Sequence, residues 1–95
     1  MKVMQYNDND GKIKGHMIFC PACKNGHGFD IHRWQFNGDF EKPTFTPSML
    51  VTSSKPENPN FYICHSFVTD GKIRFLDDCT HDLKGKTLEL EHFER

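Results

Sequence analysis

The sequence predicts a small antiparallel β domain, mostly strand, with at most one short helical turn. Three observations carry this. Short runs of β-branched and aromatic residues alternate with Gly, Pro, Asn and Asp punctuation roughly every 8–12 residues, the rhythm of an all-β chain. The pairs Asn37-Gly38 and Asp70-Gly71 stand between such runs, and dipeptides of this kind accept the positive φ that two-residue hairpin turns require. No heptad, internal repeat or low-complexity segment competes with that pattern.

Taken in order, His16–Cys20 reads as a strand running into Cys20-Pro21-Ala22-Cys23. Lys24–Gly28 reads as a turn, and Phe29–Phe36 as a second strand closed by Asn37-Gly38. The Gly and Pro residues of Gly38–Pro47 make a shaped loop rather than a strand. Ser48–Thr52 is a third strand, followed by a surface loop over the Pro- and Asn-rich Ser54–Asn60. Phe61–Val68, Asp70-Gly71 and Lys72–Asp77 form the clearest hairpin in the chain. Thr80–Gly85 fits one capped helical turn, opened by Thr80 or Asp82 and closed by Gly85. Lys86–Glu91 alternates again, with Leu88 and Leu90 on one face.

Ninety-five residues make one domain, residues 1–95, with no room for a second hydrophobic core. Nine Phe, two Tyr and one Trp supply large side chains, each able to remove roughly 150–250 Å² from water. The core is still small, and chains of this size commonly add a metal or disulfides as a staple. Twelve Lys and Arg against thirteen Asp and Glu leave a net charge of −1, and no run of like charge forms a basic face. That argues against a nucleic-acid partner. No stretch approaches the ~18 apolar residues of a membrane span, and the N-terminal stretch lacks the apolar core of a secretory signal. A cytoplasmic protein with no membrane partner is expected, and there cysteines stay reduced and serve as ligands or nucleophiles.

Cys20-Pro-Ala-Cys23 is a Cys-x-x-Cys knuckle, a tight turn that presents two thiolates to one tetrahedral ion. A redox reading wants a helix after the first Cys; Lys24-Asn25-Gly26-His27-Gly28 opposes one. The remaining ligands come from Cys64, His65, Cys79 and His81, and the hairpin register decides which converge. A two-residue turn at Asp70-Gly71 gathers Cys64, Cys79 and His81 on one face. A three-residue loop with a Gly bulge gathers His65, Cys79 and His81, and also Phe61, Ile63, Phe67, Ile73 and Phe75 as a cleaner core. A site of Cys20, Cys23, Cys64 and Cys79 is favoured, because closed structural zinc sites prefer soft sulfur and every cysteine is then used. A mixed site with His65 or His81 in place of Cys64 is the alternative. The wide separation of the first pair from the third ligand is unlike a finger that reads DNA.

With zinc on the cysteines, His27, His65 and His81 need another role. Ser48, Ser66, Asp77 and Asp78 supply hydroxyls and carboxylates, and a neutral imidazole can deprotonate a hydroxyl while a carboxylate fixes its tautomer. Ser48 ends the proline-fixed run Pro43-Thr-Phe-Thr-Pro47-Ser48, which would hold a hydroxyl rigidly. Asp78 and His81 flank Cys79, so an ion at Cys79 would position both. The competing reading makes these histidines part-buried polar residues bonded to backbone, and Trp34 and the Phe side chains simple packing. The absence of a His-x-x-x-His pair or HExxH motif counts against a second, catalytic zinc.

At CPAC, WQFNGDFEKPTFTPSML, CHSFVTDGKIRFLDDCTH and LKGKTLEL the chain resembles a family of small bacterial and phage zinc-binding proteins. Its members are often mislabelled "ammonia monooxygenase", and it includes the peptidase of bacterial ubiquitin-like conjugation operons. That label makes poor physical sense for a chain with no spanning segment. The resemblance covers most of Phe19 to Leu90. It implies Cys20, Cys23, Cys64 and Cys79 as zinc positions and Ser48, His65, Asp78 and His81 as the active centre, with Ser66 the weaker nucleophile. It implies a zinc-stabilised serine-type peptidase acting on a peptide or isopeptide bond at the C-terminus of a ubiquitin-like protein. In that reading Ser48 is the nucleophile, His81 or His65 the base and Asp78 the orienting carboxylate. The alternative is a non-enzymatic zinc-binding module that occupies a host protein. A Ser hydroxyl within hydrogen-bond reach of a His discriminates the two.

Overall fold

Eight strands carry the regular structure of the computed structural model, which describes residues 1–53 and 61–92. They are β1 (Met4–Asn7), β2 (Ile13–Cys20), β3 (Asn25–Asp30), β4 (Gln35–Phe36), β5 (Phe45–Ser53), β6 (Tyr62–Thr69), β7 (Lys72–Phe75) and β8 (Thr87–Glu89). They form two antiparallel sheets, of order β1-β2-β3 and β4-β5-β6-β7-β8. The described residues contain no helix, and so none long and apolar enough to cross a membrane. The loop expected over Ser54–Asn60 lies outside them.

The smaller sheet differs from the sequence expectation at three points. β1 pairs with β2 (Met4↔Met17, Tyr6↔Gly15) through a turn that the Asp8 carboxylate organises, accepting from Asp10 N–H and Lys12 N–H at 2.9 and 3.0 Å. The turn after Cys20 is shorter than expected. Lys24 takes φ 54 and its N–H returns to the Cys20 carbonyl at 2.8 Å, so β3 starts at Asn25 and includes Gly26, His27 and Gly28. Glycines weaken a strand in isolation. Here Tyr6 lies across Gly15 and Gly28, and Met17 across Gly26, covering the exposed backbone. Finally, Phe29–Phe36 is two strands rather than one. Asp30 ends β3 by accepting from His32 N–H (2.7 Å) through its carboxylate and from Arg33 and Trp34 N–H (both 3.0 Å) through its carbonyl.

In the larger sheet, Thr69↔Lys72 closes the β6–β7 hairpin with two turn residues, Asp70 at φ 51 and Gly71 at φ 80. Both central residues with positive φ mark a type I′ turn, whose twist matches the flanking strands. This is the two-residue register. Cys64, Ser66 and Val68 therefore face inward with Ile73 and Phe75, all buried, and Phe67 is left on the outer face. The core that the other register would build from Phe61, Ile63 and Phe67 does not form, because turn chemistry outweighs the apolar count. Thr80–Gly85 is a series of turns, not a helical turn, and Gly85 closes it at φ 76.

The core lies where the inner faces meet. Ile18, Cys20 and Phe29 from one sheet pack with Phe45, Met49, Cys64, Val68, Ile73 and Phe75 from the other. Phe29 stacks on Phe45 at 4.0 Å between ring centroids, and Phe45 stacks on Phe36 at 4.8 Å.

The two glycines under Tyr6 separate two kinds of steric limit. A Cβ at Gly28 would meet the Tyr6 hydroxyl at 2.8 Å, a side chain that can swing away. A Cβ at Gly15 would also meet the Phe29 carbonyl oxygen at 2.5 Å, which is backbone. Gly15→Ala and Gly28→Ala should each cost about 1–3 kcal/mol in urea denaturation. Tyr6→Ala should remove most of the penalty at Gly28 and little of it at Gly15. Equal rescue at both positions would show that the β2–β3 backbone yields.

Candidate active site and metal centre

β5 does not run straight. Phe45 pairs with Val68 and Met49 with Ser66, so Thr46, Pro47 and Ser48 bulge out opposite Phe67. Bulges re-aim side chains and favour the surroundings of functional sites. Here the bulge turns Ser48 to the outer face, and the Trp34 indole N–H donates to the Ser48 carbonyl at 3.3 Å, holding it there. The Ser48 Oγ lies 3.0 Å from His65 Nε2, and His65 Nδ1 lies 3.0 Å from Asp78 Oδ2. An acceptor-only carboxylate at Nδ1 fixes the proton on that nitrogen, which leaves Nε2 free to accept from the hydroxyl. Ser48, His65 and Asp78 thus form a hydroxyl–imidazole–carboxylate relay on the outer face of the larger sheet.

The backbone under this relay is held by Cys79. Its thiol accepts from His65 N–H at 3.2 Å and donates to the His65 carbonyl at 3.2 Å, and it is buried. Asp78, one residue earlier, is thereby tied to the residue it orients. His81 stands apart from the relay. Its Nδ1 accepts from Leu83 N–H at 3.2 Å, its ring packs edge-on to Phe75 at 4.7 Å, and its buried Nε2 has no partner among the described residues. Ser66 faces the interior, across β6 from His65.

On the other face of β6, Cys20, Cys23, His27 and Cys64 bring one donor atom each within 4.8 Å of one another. The sequence predicts Cys79 as the fourth ligand. The structure places Cys79 behind His65 and brings His27 to the three thiols instead, because β3 begins at Asn25 and His27 shares the inner face with Phe29. Cys20 Sγ and Cys64 Sγ are 3.8 Å apart, and Cys64 Sγ is 3.9 Å from His27 Nε2. A tetrahedral ion with metal–sulfur bonds of about 2.3 Å requires sulfurs about 3.8 Å apart, so the donor set fits a metal ion. The electrostatics agree. A hydrogen bond from Cys64 pulls the Cys20 thiol down to about 3, and the same bond pushes Cys64 far up. Burial raises Cys23. One thiolate thus suppresses ionisation of its neighbours, and a cation is what would release the remaining protons. The Tyr62 hydroxyl donates to Cys23 Sγ at 2.9 Å, a supporting contact from outside the four.

The family model described as bacterial ubiquitination-like system serine protease (BubE) matches residues 1–76. The chain belongs to that family. No curated protein and no solved structure matches it. The BubE match spans Ser48, His65 and all four members of the Cys/His cluster, and stops two residues before Asp78. Four positions that matter to this BubE chain's geometry were not singled out for it from sequence: His27 beside the thiols, Tyr62 on Cys23, Trp34 on Ser48, and Cys79 as a backbone clamp. Only His27 had a readable signal, its alternation with Phe29.

The placement of the cysteines sets a metal-content prediction. Cys20→Ser, Cys64→Ser and His27→Ala should each lower the metal-to-protein ratio measured by elemental analysis. Cys79→Ser should leave the ratio unchanged. Metal loss in Cys79→Ser with retention in His27→Ala would return the fourth position to Cys79.

Proposed function

We propose that this chain is a serine-type peptidase that cuts a peptide or isopeptide bond at the C-terminus of a ubiquitin-like protein. The observation that carries this is the relay of Ser48, His65 and Asp78, with both links at 3.0 Å. In this reading Ser48 Oγ attacks the substrate carbonyl while its proton passes to His65 Nε2. Asp78 stabilises the imidazolium that forms and keeps the ring oriented. His65 then gives the proton to the leaving amine, and the acyl group remains on Ser48. A water, deprotonated by His65, releases the acid and restores the hydroxyl. The family description, a serine protease of a ubiquitination-like system, supports both the reaction class and a protein substrate.

In the same proposal Cys20, Cys23, His27 and Cys64 hold one zinc ion. A closed Cys₃His set is a common structural zinc site, and zinc there would supply folding energy. Cys64 and His65 point to opposite faces of β6, so the ion would act on the fold rather than on the substrate carbonyl. A reducing cytoplasm suits a protein whose four thiols are all free.

Fluorophosphonate labelling tests the assignment. Ser48 should be the labelled residue, and Ser48→Ala should abolish labelling with its melting temperature nearly unchanged. Asp78→Asn should slow labelling by about 10³-fold or more, since it releases the imidazole tautomer. His81→Ala should slow it far less. Labelling that persists in Ser48→Ala would sink the proposal, as would a Ser48→Ala protein that unfolds as readily as Cys64→Ser.

Removing the ion tests the staple separately. Chelation should unfold the domain, because ordering of the ligands is coupled to folding, and zinc or cobalt should restore both fold and labelling. A chelated protein that keeps its melting temperature would overturn the structural role.

A further inference from the structure

Beside the relay, the outer face of the larger sheet carries exposed apolar surface that the chemistry does not use. Side chains two apart along a strand share a face, so Phe67 follows His65 on β6, and Leu50 sits across from His65 on β5. Phe67 is 39% exposed and Leu50 56% exposed. Two large apolar side chains therefore flank the Ser48–His65 pair in open solvent. Past Phe67 the surface sinks into a groove of about 500 Å³ that runs over Arg74, Lys72 and Thr87. Arg74 is the register partner of Phe67 and Thr87 that of Arg74. The groove thus crosses the strands away from Ser48. At strand spacings of about 4.8 Å, Arg74 stands about 10 Å from the strand that carries Ser48.

Charge decides what fits. Among the described residues no carboxylate forms an ion pair with Arg74, whereas Lys72 faces its cross-strand register partner Glu89, and Asp70 is the one acidic residue in the lining. An arginine whose donors are unmatched among the described residues, beside an apolar floor, suits a carboxylate on a short apolar stem. We propose that this groove is the substrate-recognition subsite. It would take an extended acidic–apolar segment of the protein substrate, one apolar side chain on Phe67 and an Asp or Glu on Arg74. The inference rests on the peptidase reading for its role. Its binding content can be tested without turnover.

The test uses fluorescein-labelled decapeptide pools, matched except for Glu or Lys in the residues flanking a central Leu, titrated onto the Ser48→Ala chain. The Glu pool should bind about tenfold tighter than the Lys pool, because a partly exposed pair gains on one side and repels on the other. The preference should shrink in high salt, which screens such contacts. Arg74→Glu should invert it. Phe67→Ala should weaken both pools together and leave their ratio intact. Equal binding of the two pools by the Ser48→Ala chain would overturn the proposal. So would a Glu preference that Arg74→Glu leaves in place. Fluorophosphonate labelling of the intact chain reports separately on the peptidase reading. Selective binding with no labelling of Ser48 would keep the groove and sink the chemistry. Labelling with no charge preference would do the reverse.

Discussion

Everything at this site depends on the period of two in β6. Successive side chains of a strand point to opposite faces, so Cys64 enters the core and the adjacent His65 leaves it. One residue belongs to a largely buried cluster of three thiols and an imidazole, of which Cys23 is half-buried, and the next to a solvent-facing relay with Ser48 and Asp78. A slip of one residue would exchange the two faces and destroy both. The Asp70-Gly71 turn prevents that slip by demanding positive φ at both positions, and Gly71 accepts it without a Cβ penalty.

The two outer partners of His65 reach it by different devices. Ser48 arrives through the β5 bulge, which costs ladder hydrogen bonds and is compensated by the Trp34 indole on the Ser48 carbonyl. Asp78 arrives through the reversal after β7, where Leu76 N–H still bonds the His65 carbonyl at 2.9 Å and Cys79 N–H closes on Leu76 O at 3.2 Å. That reversal lays Cys79 against the His65 backbone. What the Cys79 sulfur touches is thus a peptide unit, the N–H and carbonyl of His65.

These devices explain what was legible in the sequence. The strand rhythm, the β6–β7 hairpin and the knuckle at Cys20 and Cys23 follow from local composition, and they are present. Ser48, His65 and Asp78 were singled out from residue chemistry together with a family resemblance, and the fold brings them together. The places of Cys79 and His81 were not legible, because neither strand alternation nor the preference of zinc for sulfur accounts for the end of the strand at Phe75, where a turn resets which face each residue takes. His27 escaped because Gly26 and Gly28 read as turn residues. Their strand conformation depends on Tyr6 and Met17 lying across them, a tertiary contact no local pattern records. β1 escaped for the same reason, its partner being visible only once Gly15 is seen to accommodate Tyr6.

The energetics of the relay point to the backbone as the source of its precision. Asp78 is half exposed, so its hydrogen bond from the neutral His65 ring is screened by water and contributes only on the order of 1 kcal/mol. Such a contact cannot by itself hold an imidazole within the narrow geometry that proton transfer demands. The holding force must come from groups out of the solvent. Cys79 supplies two hydrogen bonds from a buried sulfur, and Cys64 anchors the preceding residue in the core beside three further donors. Removing water from those contacts raises the cost of breaking them, so the rigid half of the site lies on the inner face. The outer face can then keep its serine, histidine and carboxylate open to solvent without losing their alignment.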